Sequence, residues 1–318
     1  MEHRALGRSG VDVSRIILGC GNFGGLGSST AHFSAGETEG EARALMDAAW
    51  EAGITTFDTA DAYGGGRSES FIGNWLRTKG QEVRDRIVLT TKTFNPMSDG
   101  ADHGLARERI ERQVDSSLER LGVESVPLYL AHDMDPAVPV AETIGTFDDL
   151  VAAGKIRAYG GSNVDPAWIE EALRYGRPDW VQNSYSLLDR DVEAGVLDAC
   201  AREGLGFTPF SPLAGGWLTG KYRRGEEPPA GSRMTLRPES YLQFQDDRVF
   251  DALEALETQA ATRGTTPGTL AFAWLLAHPQ VTAVVVGPRR PEQLRPALDA
   301  LELDLSPPER EQLTALFS

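Results

Sequence analysis

Short apolar runs rich in β-branched side chains recur at Ile16–Leu18, Ile54–Phe57, Ile87–Thr91, Val126–Ala131, Ile156–Tyr159, Trp180–Val181, Gly206–Phe210 and Thr282–Val286. Their length and composition predict strands. Between them, apolar residues fall at three- and four-residue spacing over Gly40–Glu51, Ser68–Thr78, Ala106–Leu121, Val140–Ala153, Pro166–Arg174, Asp191–Arg202 and Asp246–Ala277, which predicts helices. Strand and helix alternating in this way predict a parallel sheet with helices outside it. Gly53, Gly122, Gly154, Gly176 and Gly204 each follow a helical pattern and precede a strand, where a left-handed helix stop is expected. Ahead of the first strand, Ala5–Gly10 and Val11–Ile16 flank the turn Arg8-Ser9-Gly10 and read as a hairpin covering one end of a barrel. Two stretches without regular pattern, Gly24–Glu37 and Pro212–Asp246, are long enough to be functional loops. No compositional break marks a linker, so residues 1–318 are read as one (α/β)8 barrel domain with a long loop after strand seven.

Composition narrows the function. At 41% hydrophobic and 25% charged, the chain is an ordinary globular one. Its formal charge of −16 is spread along the sequence and repels nucleic-acid backbones and anionic lipid surfaces. No apolar stretch approaches membrane-spanning length and Met1–Gly10 holds no signal core, so a cytoplasmic protein is expected. Cys20 and Cys200 form no metal-like pair, and the five histidines include no His-x-His, so no metal site is expected. Lysine occurs only at Lys79, Lys92, Lys155 and Lys221, so each stands out against an arginine-rich background.

Gly19-Cys20-Gly21-Asn22-Phe23-Gly24 satisfies the G-x-G-x-x-G pattern but not its context. A dinucleotide fingerprint needs a helix opening at its last glycine and an acid about 20 residues on. Here a loop follows, and the first acid at a strand end is Asp58. A different constellation lies at the C-terminal ends of strands two to four: Asp58 and Tyr63, then Lys92, then His132. Parallel-barrel chemistry sits at that face, and neighbouring strands lie about 4.8 Å apart, so the four side chains can converge. A lysine ammonium held by Asp58 favours the phenolate of Tyr63 and so makes it acidic enough to donate a proton near neutrality. His132 can orient a carbonyl oxygen for that proton, which points to carbonyl reduction.

Motifs along almost the whole chain resemble the aldo-keto reductases. They run from Leu6-Gly7-Arg8-Ser9-Gly10 through Phe57-Asp58-Thr59-Ala60 with Tyr63-Gly64, Leu128-Tyr129-Leu130-Ala131-His132, and Gly154-Lys155-Ile156-Arg157 with Gly161-Ser162-Asn163. They continue with Ser211-Pro212-Leu213-Ala214-Gly215-Gly216 and Leu218-Thr219-Gly220-Lys221-Tyr222. The resemblance implies that Asp58, Tyr63, Lys92 and His132 are the catalytic tetrad, with Tyr63 the acid. It also implies a nicotinamide cofactor without a Rossmann domain, met by Gly21, Asn22, Phe23 and Asp58. Ser162, Asn163 and Gln182 would hold its carboxamide and Phe210 would stack on its ring. Ser211, Leu213, Gly215 and Lys221 would follow the pyrophosphate, with Arg233 clasping it. Gly287, Arg289 and Gln293 fall where the family reads the adenosine, and Ala297 stands where it often has asparagine. Guanidinium groups suit phosphate, so NADPH is favoured over NADH.

Phe23, Phe94, Met134 and Trp217, with the loop carrying His32 and Phe33, would border an aromatic cleft for a small-molecule carbonyl. Gly65-Gly66-Arg67 would bring a cation to its mouth. The sequence leaves monomer and homo-oligomer both open. Two other functions compete: a redox-sensing subunit like the potassium-channel β subunits, and a Schiff-base aldolase using Lys92. The full tetrad and the lack of a long extension before Leu6 favour catalysis over the first. The nicotinamide set, which an aldolase does not need, disfavours the second.

Overall fold

The chain opens with the expected hairpin, in which β1 (His3–Ala5) pairs antiparallel with β2 (Asp12–Ser14). The computed structural model describes residues 1–33 and 35–318. Eight parallel strands follow in one sheet: β3 (Ile16–Gly19), β4 (Thr56–Asp58), β5 (Val88–Thr93), β6 (Val126–Ala131), β7 (Ile156–Ser162), β8 (Trp180–Gln182), β9 (Gly206–Phe207) and β10 (Val284–Val286). Their order is β10-β3-β4-β5-β6-β7-β8-β9. Backbone bonds from Thr282 to Phe207 (2.8 Å) and from Val285 to Pro209 (2.9 Å) join the two edges, closing an (α/β)8 barrel.

Helices α1 (Glu39–Glu51), α2 (Arg67–Arg77), α3 (Gln81–Arg86), α4 (Arg107–Leu121), α5 (Val140–Ala152), α6 (Pro166–Tyr175) and α7 (Val196–Glu203) cover the first six strands. The single turn α8 (Arg233–Leu236) lies in the seventh loop, followed by α9 (Asp247–Thr262), α10 (Pro267–Leu276), α11 (Arg295–Ala300) and α12 (Pro307–Ala315). The expected helix over Asp246–Ala277 is thus two. Gly264 turns left-handed (φ 64°), and Thr266 caps a new helix that begins at Pro267, because proline cannot donate within the preceding one. Gly195 (φ 111°) likewise splits Asp191–Arg202.

Gly53, Gly122, Gly154 and Gly204 have the expected positive φ, but Gly176 is extended (φ −168°). Its reason for being glycine is space, since a Cβ there would run into Ile144, Asp148 and the Tyr159 hydroxyl.

Strand alternation divides the core into two. Ile17, Leu128, Leu130, Ala158, Trp180 and Val285 fill the barrel with Leu6, Val11 and Val13 of the hairpin as its plug, while Ile16, Leu18, Tyr129, Tyr159 and Val181 face the helices. Lys92 pairs with Leu130 in register and so shares the inner face, whereas Thr91 points to Glu69 of α2. Beneath, buried Arg15 donates to the carbonyls of Val281, Thr282 and Leu276, satisfying the end of α10 and the approach to β10.

Candidate active site

Strand pairing continues past the apolar runs, and the residues it adds include the candidates Asp58, Lys92, Ser162 and Gln182. The expected strands stop at Phe57, Thr91, Tyr159 and Val181, but β4, β5, β7 and β8 reach Asp58, Thr93, Ser162 and Gln182. Pairing is a backbone property, so polar residues at the strand ends are carried by the ladder while their side chains face the barrel mouth.

Lys92 is wholly buried, with Nζ 2.5 Å from Asp58 Oδ1, 2.8 Å from the Thr59 carbonyl and 3.4 Å from Tyr63 Oη. Tyr63 Oη is 3.4 Å from His132 Nε2, with the rings edge to face. Gln182, beside Ser162 in register, donates to the other Asp58 oxygen at 2.9 Å. The tetrad therefore assembles as its spacing implies. Tyr63 is aimed by three glycines, Gly64, Gly65 and Gly66, all left-handed (φ 60°, 68° and 89°), a run that no other residue type adopts without strain.

The electrostatics correct one expectation. Burial pushes the Tyr63 phenol above its ordinary value; Lys92 pulls it back only in part and Asp58 raises it. The free site thus holds a protonated tyrosine, and the lysine limits the cost of losing that proton rather than making the phenol acidic in the resting state. Burial by itself would lower Lys92, but Asp58 and Tyr63 outweigh it and keep the ammonium charged. Burial and then Lys92 hold His132 far below the usual histidine range, so its imidazole is neutral. The Nδ1 atom of His132 is buried without a partner.

Only three non-glycine residues among those described have positive φ: Asn163 (56°), Ser211 (53°) and Ala214 (47°). Asn163 directly follows β7, and Ser211 and Ala214 lie in the loop after β9; the resemblance implies the nicotinamide carboxamide for Asn163 and the pyrophosphate for Ser211. Backbone strain of this kind persists where a site imposes it. The Asn163 side chain donates to the His132 carbonyl at 2.9 Å, coupling this segment to the tetrad. A cavity of about 280 Å³ opens beside Phe210 and Ser211, walled by Ser184, Asp189, Arg237 and Tyr241. Tyr241 of the seventh loop lies against Gly215, where any Cβ would strike its ring. Leu213 is partly buried against the core, and Lys221 is exposed with Nζ 4.9 Å from the Tyr222 ring centre.

Arg233 donates to the Asn22 side chain and so already reaches from the seventh loop to the first. Arg289 Nε lies 2.6 Å from Glu37 and its Nη1 donates to Gly231 at 3.1 Å. Gln293 uses its side-chain oxygen to accept from the Arg289 and Arg290 amides, Gly287 is exposed beside them, and Ala297 is in the core. The donor set suits an anionic dinucleotide: strained backbone beside the cavity at Ser211, and two guanidinium groups, Arg233 and Arg289, that reach the first loop at Asn22 and Glu37.

The implied substrate wall divides. Phe94 and Met134 follow β5 and β6 and are partly exposed, as are His32 and Phe33, the Phe33 ring lying against Gly65 beside Tyr63. Gly21 lies against the Tyr63 ring. Phe23 is fully buried, and Trp217 (1% exposed) packs under the seventh loop on Tyr222, Phe244 and Phe250, because the loop folds over it rather than away from it. Arg67 donates to the Gly24 and Gly64 carbonyls, stapling two loops rather than offering a free cation. Sequence reading passed over Glu37 and Tyr241. Each lies within a loop that has no periodic signal, though Glu37 adjoins a legible capping box at Thr38 and Glu41. It also passed over Asp61, buried two residues before Tyr63, accepting from Thr93 and pushed by burial up to about 7.

The family model described as the aldo/keto reductase family matches residues 15–317. The chain is 36% identical to an uncharacterised oxidoreductase, YrpG, of Bacillus subtilis, over 96% of this chain and 92% of that protein. It is 33% identical to an NADH-specific methylglyoxal reductase of Escherichia coli (96% and 95% covered), and 33% identical to an L-glyceraldehyde 3-phosphate reductase of the same organism (95% and 88%). A protein of Schizosaccharomyces pombe provisionally named as a voltage-gated potassium channel β subunit is 34% identical (94% and 88%).

Proposed function

The chain belongs to the aldo/keto reductase family, and on that premise we propose that it is an NADPH-dependent oxidoreductase reducing aldehydes or ketones to alcohols, with Tyr63 as proton donor. The observation that carries the reading is the buried Lys92–Asp58 pair at 2.5 Å with Tyr63 Oη 3.4 Å from both Lys92 and His132. The dihydronicotinamide, when bound, supplies a hydride. Tyr63 Oη and neutral His132 Nε2 form a fork that receives one carbonyl oxygen. As the carbonyl carbon gains the hydride, its oxygen takes the Tyr63 proton, and the phenolate left behind is held by the Lys92 ammonium. Asp58 keeps that ammonium in place, and Gln182 holds Asp58. Ser162, Asn163, Gln182 and Phe210 would orient the nicotinamide; Ser211, Leu213, Gly215, Lys221 and Arg233 would follow the pyrophosphate, and Arg289 with Gln293 the adenosine.

Relatives named for methylglyoxal and L-glyceraldehyde 3-phosphate make small oxygenated aldehydes the first substrates to try, with larger aromatic ones because Phe33, Phe94 and Met134 flank the tetrad. No described helix is long and apolar enough to cross a membrane. The test is fluorescence quenching by NADPH and NADH, followed by oxidation of the bound cofactor with a carbonyl panel. Tyr63→Phe should abolish turnover and leave quenching nearly intact; retained turnover defeats the acid assignment. Binding without turnover on any carbonyl would favour the regulatory reading suggested by the channel-subunit relative.

A further inference from the structure

We propose that Glu37 limits the preference of this protein for NADPH over NADH by neutralising Arg289, so that the site accepts both dinucleotides. The proposal rests on the reading that Arg289 meets the adenosine end. Glu37 is only 4% exposed and is pinned by its own backbone, its amide donating to Asn22 at 2.8 Å and its carbonyl accepting from Gly24 at 2.9 Å. One carboxylate oxygen is 2.6 Å from Arg289 Nε, and the other is buried with no partner.

Two consequences follow from that placement. Because the carboxylate cannot swing into water, its charge is neither screened nor moved aside when an anion approaches Arg289. And because it grips the Nε edge, it fixes the guanidinium plane while leaving part of the outer face for a ligand. NADPH and NADH differ only by a 2′-phosphate, so the charge at this one place decides between them. An unpaired arginine would favour the phosphate strongly; an arginine already matched to a buried carboxylate presents one unit less positive charge, with Arg233, which also faces the pair, as the remaining cation. Of the next acids, Glu39 accepts from Asn74 and Glu41, which also feels the charge of Arg289, is exposed and engaged by Thr38, while Arg290 pairs outward with Glu292, so Glu37 holds the buried charge against Arg289.

Glu37→Gln removes the charge and keeps an oxygen to accept from Arg289 Nε. The affinities of 2′,5′-ADP and 5′-AMP, measured by calorimetry, isolate the 2′-phosphate from the rest of the cofactor. With one unit of charge removed a few ångströms away, 2′,5′-ADP should tighten about tenfold relative to 5′-AMP, and the NADPH-to-NADH affinity ratio from fluorescence quenching should rise by the same factor. A ratio that stays the same or falls overturns the proposal. Arg289→Gln tests it independently of how well E37Q folds: with the guanidinium gone the NADPH-to-NADH affinity ratio should fall several-fold below that of the native chain, and a ratio unchanged by Arg289→Gln would show that the Glu37–Arg289 pair does not set the preference. If the native chain binds no nucleotide at all, the cofactor reading itself fails along with the proposal, an outcome distinct from binding with an unchanged ratio.

Discussion

Replacing Lys92 by Met separates two things the ammonium does. It stabilises the fold by matching Asp58, which is 3% exposed, and it would stabilise the phenolate that forms when Tyr63 gives up its proton. The stability cost of breaking a buried pair by removing one partner is about 3–5 kcal/mol. The bond from Gln182 to the remaining Asp58 oxygen places the expectation at the lower end. The rate effect follows from the 3.4 Å between Nζ and Tyr63 Oη, which at an effective dielectric of about 20 gives about 5 kcal/mol in favour of phenolate. If half of that charge has developed at the transition state the loss is about 60-fold, and if all of it has, about 4,000-fold. Single-turnover loss of dihydronicotinamide absorbance, with the cofactor bound beforehand, measures the chemical step apart from binding. A companion variant, Asp58→Asn with Lys92→Met, removes both charges and should recover much of the melting temperature without recovering the rate. If that folded double variant reduced substrate within about tenfold of the native rate, or about 1.4 kcal/mol, the assignment of Lys92 as the group that steadies the phenolate would be wrong.

Two further predictions use the directions in which burial moves the titrating groups. Tyr63 is raised above its usual value and His132 lowered well below its own, so the single-turnover rate should be flat through neutrality, falling only above about pH 10 as the phenol loses its proton. In an Asp61→Asn background, which removes the buried carboxyl that titrates at about 7, a break between about pH 6.5 and 9 would refute the pairing of a neutral imidazole with a protonated phenol. Asp61 has its folded-state value raised to about 7, so its contribution to stability is fully present below the unfolded value near 4 and is lost as pH rises through 7. Asp61→Asn should therefore gain in melting temperature over the native chain between about pH 5 and pH 8, and parallel melting curves at the two ends would contradict the raised value.

Much of the site was legible because strand alternation ties face to sequence parity. Lys92 follows an apolar strand in a chain with few lysines, and the pairing of Lys92 with Leu130 puts it inside the barrel as that reading requires. The false dinucleotide motif at Gly19–Gly24 was also legible as false. Helix α1 begins at Glu39, far past the last glycine, so no helix end meets that turn. Boundaries were less legible. Hydrophobicity locates buried side chains, and at Asp58, Thr93, Ser162 and Gln182 the strand continues on backbone bonds alone. The long helical pattern from Asp246 hid a break because apolar periodicity persists on both sides of Gly264.

The sequence by itself determined the barrel, the family likeness and which four polar side chains stand at neighbouring strand ends, because these rest on periodicity and on residue types at strand ends, both local properties of the chain. Tertiary structure decided what burial does to those residues. It keeps the Tyr63 phenol protonated and the His132 imidazole neutral, since desolvation depends on everything packed around a group and not on its neighbours in sequence. It put Trp217 under the seventh loop and out of the cleft. And it set Glu37 against Arg289, 252 residues apart in the chain, a contact that no spacing encodes because it depends on how two loops close over the barrel mouth.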